Sequence, residues 1–192
     1  MKKIPTIFVR DWNGDRSRVT QEPHPDCAWV FAGEGIATRK RDGKAIMVRS
    51  GVVFRRFDAA KNDKRPLGFE SCGVDEETGK EPGWAPGLPG DDEWFDEAIG
   101  NVLPMDGTYE LCGPKIGTRA GANPEGLATH VLFRHGGEVL ENVPRLFDAL
   151  KSWFIEHPVE GVVFHHPDGR MGKIKRSDFG ILWGSKKSKD VK

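Results

Sequence analysis

Tight-turn signatures set between short apolar runs constrain this chain more than any other feature. Asp42-Gly43 separates Ile36 to Lys40 from Lys44 to Arg49, and Ser50-Gly51 separates that run from Val52 to Phe57. Asp-Gly and Ser-Gly supply the positive φ angles that two-residue hairpins demand, so the three runs are expected to form an antiparallel meander with Lys40 at a strand end. A second hairpin is expected from Val159 to His165 and Met171 to Lys175, turning at Pro167-Asp168-Gly169. Ile4 to Val9 reads as a short first strand. Gly107 to Leu111 and Leu127 to Arg134 read as further strands, joined by a glycine-rich loop from Gly113 to Gly126. Asp91 to Ile99 has acids in its first turn, where a helix dipole favours them. Pro144 suits a first helical turn, and Val143, Leu146, Phe147, Leu150, Trp153 and Phe154 recur along one helical face behind it. The pattern as a whole is α+β, with antiparallel sheets flanked by helices.

With 192 residues and 37% hydrophobic content, one packed domain is expected over residues 1–185. Residues 62–90 are rich in Gly, Pro and acids and follow neither apolar period, so they read as a surface loop insertion pinned by Trp84. Lys186 to Lys192 reads as a basic tail. No apolar run approaches the roughly 18 to 20 residues of a membrane helix, and Ile4 to Val9 is too short for a secretory core, so a cytoplasmic protein with no membrane partner is expected. Cys27, Cys72 and Cys112 are odd in number and widely spaced, as reduced, half-buried thiols would be. His165 and His166 are adjacent, so on a strand they face opposite ways and cannot easily chelate one ion.

Lys and Arg balance Asp and Glu at 29 each, yet the charges are segregated. Residues 39–65 hold ten bases against three acids, residues 66–112 hold twelve acids against one base, and residues 170–192 hold eight bases against two acids. Either the two basic blocks line a positive groove with the acidic middle facing elsewhere, or the charges are a solvated surface.

Several residues fit group-transfer chemistry. A lysine that attacks phosphorus must be neutral, and other cations, a metal ion and partial desolvation around Lys40 would lower its pKa. Arg39, Arg41, Lys173 and Lys175 are the cations available. Lys173 and Lys175 alternate around Ile174, so on a strand both amines face one way, as an anion site requires. Glu160, at the mouth of the apolar run Val162-Val163-Phe164, suits metal or metal-water coordination. Glu110, on a strand after Tyr109, could accept hydrogen bonds from ribose hydroxyls. Each motif alone also fits a structural role: a solvated turn lysine, an edge strand kept soluble by charge, a surface carboxylate. Asp178-Phe179-Gly180 spells a kinase tripeptide, but the glycine-rich and His-Arg-Asp loops of kinases are missing, and no P-loop is present.

Taken in order, these motifs resemble the covalent nucleotidyltransferases, a superfamily that includes RNA ligases, DNA ligases and capping enzymes. Lys40-Arg41-Asp42-Gly43 is similar to the Lys-x-Asp-Gly nucleophile motif, Tyr109-Glu110-Leu111-Cys112-Gly113 to the third motif, Glu160-Gly161-Val162-Val163 to the fourth and Lys173-Ile174-Lys175 to the fifth. Arg55-Arg56-Phe57-Asp58 resembles the intervening arginine motif, with Arg56 the better match and Arg55 a close rival. Phe133 matches the aromatic that stacks on the base. The resemblance spans most of the chain and is closest to a compact ATP-dependent RNA ligase family, through the insertion around Trp84, Gly107-Thr108-Tyr109-Glu110 and the run from His166 to Met171. DNA ligases usually carry arginine where Ala45 stands. Only 17 residues follow Lys175, too few for the OB-fold domain that DNA ligases and capping enzymes need.

The resemblance implies an ATP-grasp-like adenylation domain without an OB-fold, with Lys40, Lys173 and Lys175 catalytic. It implies that Arg39, Lys40, Arg55, Arg56, Glu110, Phe133, Glu160, Lys173 and Lys175 bind the nucleotide. ATP would be the nucleotide, with Mg²⁺ or Mn²⁺ held at Glu160. The partner would be RNA with 5′-phosphate and 3′-hydroxyl ends, joined through lysyl-AMP and an adenylylated RNA end. The alternatives are a noncatalytic RNA-binding module of the same fold, a DNA ligase and a capping-type guanylyltransferase.

Overall fold

The structure, a computed structural model, describes residues 2–76, 78–87, 93–100, 102–117 and 123–183. The expected basic tail over 186–192 lies outside the described residues. In chain order the strands are β1 (Phe8–Arg10), β2 (Val19–Pro23), β3 (Ile36–Lys40), β4 (Lys44–Arg49), β5 (Val52–Ala59), β6 (Glu70–Ser71), β7 (Glu81–Gly87), β8 (Gly107–Cys112), β9 (Val131–Arg134), β10 (Gly161–His165) and β11 (Met171–Lys175). The α-helices are α1 (Ala28–Phe31), α2 (Glu93–Ile99) and α3 (Phe147–Glu156). The fold is α+β, and every named strand pair is antiparallel. Two compact units divide the chain: the first holds Met1–Lys3 and Asp42–His135, the second Ile4–Arg41 and Gly136–Lys192.

In the second unit a three-stranded sheet has the order β11-β10-β3. One face carries Ala37, Val162, Phe164 and Ile174, which enter a core with Ile7, Phe8, Trp29, Val30, Leu150 and Phe154. Burial of such side chains stabilises the unit by about 1.5–3 kcal/mol each. The hairpin of β10 and β11 forms as its turn residues foretell. Helix α3, by contrast, begins at Phe147 rather than beside Pro144, and Leu146 is exposed at its N-cap. Arg145 donates its guanidinium to the carbonyls of Val30, Glu34 and Gly35, which ties it to a distant segment, and Leu146 after it is extended.

In the first unit a six-stranded sheet runs β6-β7-β5-β4-β8-β9. Its inner face gathers Ile46, Val48, Val53, Tyr109 and Leu111 against Phe95 of α2. The β4–β5 hairpin turns on Ser50 (φ 51°) and Gly51 (φ 76°), both left-handed as a type I′ turn requires. Two expectations are corrected here. Strand β3 does not pair with β4; it pairs with β10, while β4 pairs with β5 and β8. The Asp42-Gly43 pair instead carries the chain into β4 alongside β8, and Gly43 passes so close there that a Cβ would collide with the Leu111 carbonyl oxygen.

The supposed loop insertion is the second correction. Residues 81–87 are strand β7, paired with β5 from Val53↔Gly87 to Ala59↔Glu81, and Trp84 is buried within it. Pro82 and Pro86 hid the strand from its sequence pattern. They are tolerated because β6, on the other flank, is only two residues long, so most of that edge has no ladder to interrupt. This pairing also places Arg49 on Glu70 and Arg65 on Glu81, each at 2.5 Å. The acidic middle of the chain therefore does not face wholly away from the basic block.

Candidate active site

Strand register assembles three amines in the second unit. Gly161 of β10 lies opposite Lys40 of β3 on one side and Lys175 of β11 on the other, while Val163 lies between Thr38 and Lys173. Residues opposite one another, and those two apart on a strand, share a face. Lys40, Lys173 and Lys175 therefore project together from the face opposite the core. Gly161 leaves bare backbone between two of them, and a Cβ there would lie 2.5 Å from the Ile174 carbonyl oxygen.

Glu160 closes the cluster, with Oε2 2.6 Å from Lys40 Nζ and only 8% of its surface exposed. Lys173 is the amine the cluster affects most visibly. Burial first, then repulsion by Lys40 and Lys175, brings its pKa down to about 8 against the pull of Asp178 and Glu160. A cluster of this kind can bind an oxyanion and present an amine to it. One carboxylate beside amines that could hold an oxyanion also fits Mg²⁺, which takes most of its ligands from phosphates and water. Among the described residues no group of three His, Cys, Asp or Glu forms a metal cage.

Arg39 lies one residue from Lys40 and so points to the other face, where Glu138 Oε1 is 3.3 Å away; the other oxygen of that carboxylate, Oε2, pairs with Arg41 at 2.6 Å. Asp178, set aside in the sequence as an accidental tripeptide, is a buried support for the site. It accepts the Lys175 backbone N–H at 2.8 Å and the Arg10 guanidinium at 2.9 Å, ending β11 and starting the 3-10 turn Arg176–Phe179. An acid three residues past a strand end is the one signal that could have marked it.

In the first unit Glu110 of β8 lies opposite Phe133 of β9, on the sheet face away from the core. Arg56 of β5 shares that face, since Arg55 is the one paired with the core residue Ile46. Alternation thus groups Arg56, not Arg55, with Glu110 and Phe133. Arg56 also meets Asp58 at 2.8 Å and lies over the Trp84 ring at 5.7 Å. Glu110 is held at both oxygens: Gly43 N–H donates to Oε1 at 3.0 Å, and His135 Nε2 is 2.8 Å from Oε2. No sequence pattern pointed to His135. Cys27 and Cys112 are fully buried rather than half-buried, and burial pushes the Cys27 thiol up to about 11. His165 and His166 turn apart as expected, to Thr38 and Glu34. No helix among the described residues is long and apolar enough to cross a membrane.

A profile of the family described as RNA ligase 1 matches residues 90–190. The chain belongs to the RNA ligase 1 family. A Rattus norvegicus protein named RNA ligase 1 is 30% identical over 177 residues, which is 84% of this chain and 50% of that protein. RNA ligase 1 of Danio rerio is 40% identical over 88 residues, 41% of this chain and 26% of its own length. RNA ligase 1 of Pongo abelii is 33% identical over 92 residues, 43% and 28% of the two chains. The chain spans half or less of these relatives. Lys173, Lys175, Glu160, Glu110 and Phe133 all lie within the segment matched by the RNA ligase 1 family, and Lys40 lies before it.

Proposed function

We propose that this chain is an ATP-dependent RNA ligase of the nucleotidyltransferase fold, joining 5′-phosphate to 3′-hydroxyl RNA ends through lysyl-AMP. The observation that carries the reading is the set of three amines on one sheet face with Lys40 paired to Glu160 at 2.6 Å. Lys40 Nζ attacks the α-phosphorus of ATP: an N–P bond forms, the bond to pyrophosphate oxygen breaks, and the amine gives up its proton. Lys173 and Lys175 bind phosphate oxygens as charge moves onto them. Glu160 would hold Mg²⁺ or Mn²⁺, which supplies further charge neutralisation on the phosphates. An oxygen of an RNA 5′-phosphate then attacks the phosphorus of the bound AMP, breaking the N–P bond and freeing the Lys40 amine, and a 3′-hydroxyl attacks the RNA 5′-phosphorus, forming the phosphodiester and releasing AMP. For the first unit the reading assigns Arg56, Glu110 and Phe133, which share one face, to the nucleoside.

The test is incubation with ATP or GTP labelled at the α-phosphate. Acid-labile, alkali-stable label from ATP is expected on the wild type and none on Lys40→Ala. Label from GTP alone would favour capping chemistry, sealing of DNA but not RNA would favour a DNA ligase, and no label from either nucleotide would leave a binding module.

A further inference from the structure

The loop between β1 and β2, residues 11–18, carries a tryptophan that the core does not use. Trp12 is 43% exposed, and the Arg16 guanidinium lies 5.9 Å from its ring centre. The loop's acids are turned onto the loop itself. Asp11 accepts the Asp15 N–H at 3.2 Å, and Asp15 accepts the N–H and hydroxyl of Ser17 at 2.9 and 2.6 Å and Arg18 Nε at 3.2 Å. The Ser17 bonds hold the Asp15 carboxyl below its ordinary range. The acids shape the loop through these bonds, and although Asp15 stays exposed its carboxylate is engaged by Ser17 and Arg18, while Trp12 and Arg16 lie together at the same surface.

The loop's position follows from register within the second unit. The chain before β1 runs parallel to β11: Thr6 bridges Lys173, and Ile7 N–H donates to the Lys173 carbonyl at 2.9 Å. Continuing in step, Arg10 falls beyond Lys175, where its guanidinium meets Asp178 at 2.9 Å. Lys175 and Lys40 flank Gly161 at this same end of the sheet. The loop therefore leaves the sheet from the end that bears the proposed nucleophile, braced there by the same carboxylate that ends β11.

We infer that Trp12 is a stacking platform for an unpaired base of an RNA substrate, with Arg16 serving the adjoining phosphate. An exposed aromatic beside a cation suits single strands, because every base has a π-face and the cation follows the backbone. The inference rests on the ligase reading for the choice of RNA. Its test is the anisotropy of a short fluorescein-labelled single-stranded RNA titrated with the full chain, without nucleotide, for wild type, Trp12→Ala and Trp12→Phe, each checked for an unchanged thermal melt. Trp12→Ala is expected to bind about 5- to 100-fold more weakly, with Trp12→Phe close to wild type. Binding by Trp12→Ala within about twofold of wild type overturns the inference. So does an equal loss on blunt duplex RNA, whose bases are already stacked. Because this readout does not use the Lys40 label, a missing label with intact Trp12 dependence rejects the ligase chemistry alone, and a present label without Trp12 dependence rejects the platform alone.

Discussion

Lys173 shows the tension between stability and chemistry at a single residue. Its amine is largely buried and repelled by Lys40 and Lys175, which brings its pKa down to about 8 from the ordinary lysine value of 10.5. Below pH 8 both folded and unfolded chains hold this proton, and the fold bears the full unfavourable energy of the charge. Between about 8 and 10.5 the unfolded chain holds the Lys173 proton more fully than the folded one, so the contribution of this residue to stability rises with pH across that window. Lys173→Met is therefore expected to raise stability at neutral pH by up to about 3 kcal/mol, an advantage that fades as pH climbs through the window. Urea melts at several pH values check this, and a less stable variant at neutral pH would refute it. That Lys173 and Lys175 share a face was legible in the sequence because two-residue alternation fixes it, whereas the place of Lys40 beside them was not, because it depends on β3 pairing with β10 rather than β4. Asp178 was not, since what defines its role is Arg10, far away along the chain, and Arg39 was misdirected because proximity to Lys40 in sequence says nothing about strand face.

Among the elements, β10 holds the site together by having no side chain at its first position. Gly161→Ala would put a methyl group 2.5 Å from the Ile174 carbonyl oxygen and 3.2 Å from Lys175 Cα, both on backbone that cannot swing aside. The variant is expected to lose about 1–3 kcal/mol of stability as β11 is pushed from β10, measurable by denaturant unfolding, and an unchanged midpoint would contradict that account. The β4–β5 and β10–β11 hairpins were readable because Gly51 and Gly169 take the left-handed turn positions their signatures call for, whereas Asp42-Gly43 carries a like signature between strands that do not pair. Strand β7 was not, because two prolines and two glycines mask its alternation and its burial comes from β5, more than twenty residues earlier in the chain. The start of α3 was misplaced for a similar reason: Arg145 is tied to carbonyls of a distant segment, which no local helix signal shows.

For the whole molecule, zero net charge means that any affinity for a polyanion comes from local segregation, and ion pairs such as Arg49 with Glu70 already absorb part of it. RNA affinity is expected to fall as salt rises, with a logarithmic slope of about 0.7 for each phosphate neutralised. A flat salt response in a binding titration would argue that no phosphate contact exists. The α+β class with antiparallel sheets was legible from turns and periodicity. The division into two units was not, because it depends on which strands pair across long stretches of chain. Residues 42–135 leave the second unit's sequence and return to it, and the single Glu110 carboxylate grips Gly43 near the start of that excursion and His135 at its close. The segment 42–135 is thus a cassette whose two ends are stitched to one another, the arrangement that lets a domain be spliced into a host chain without stretching it.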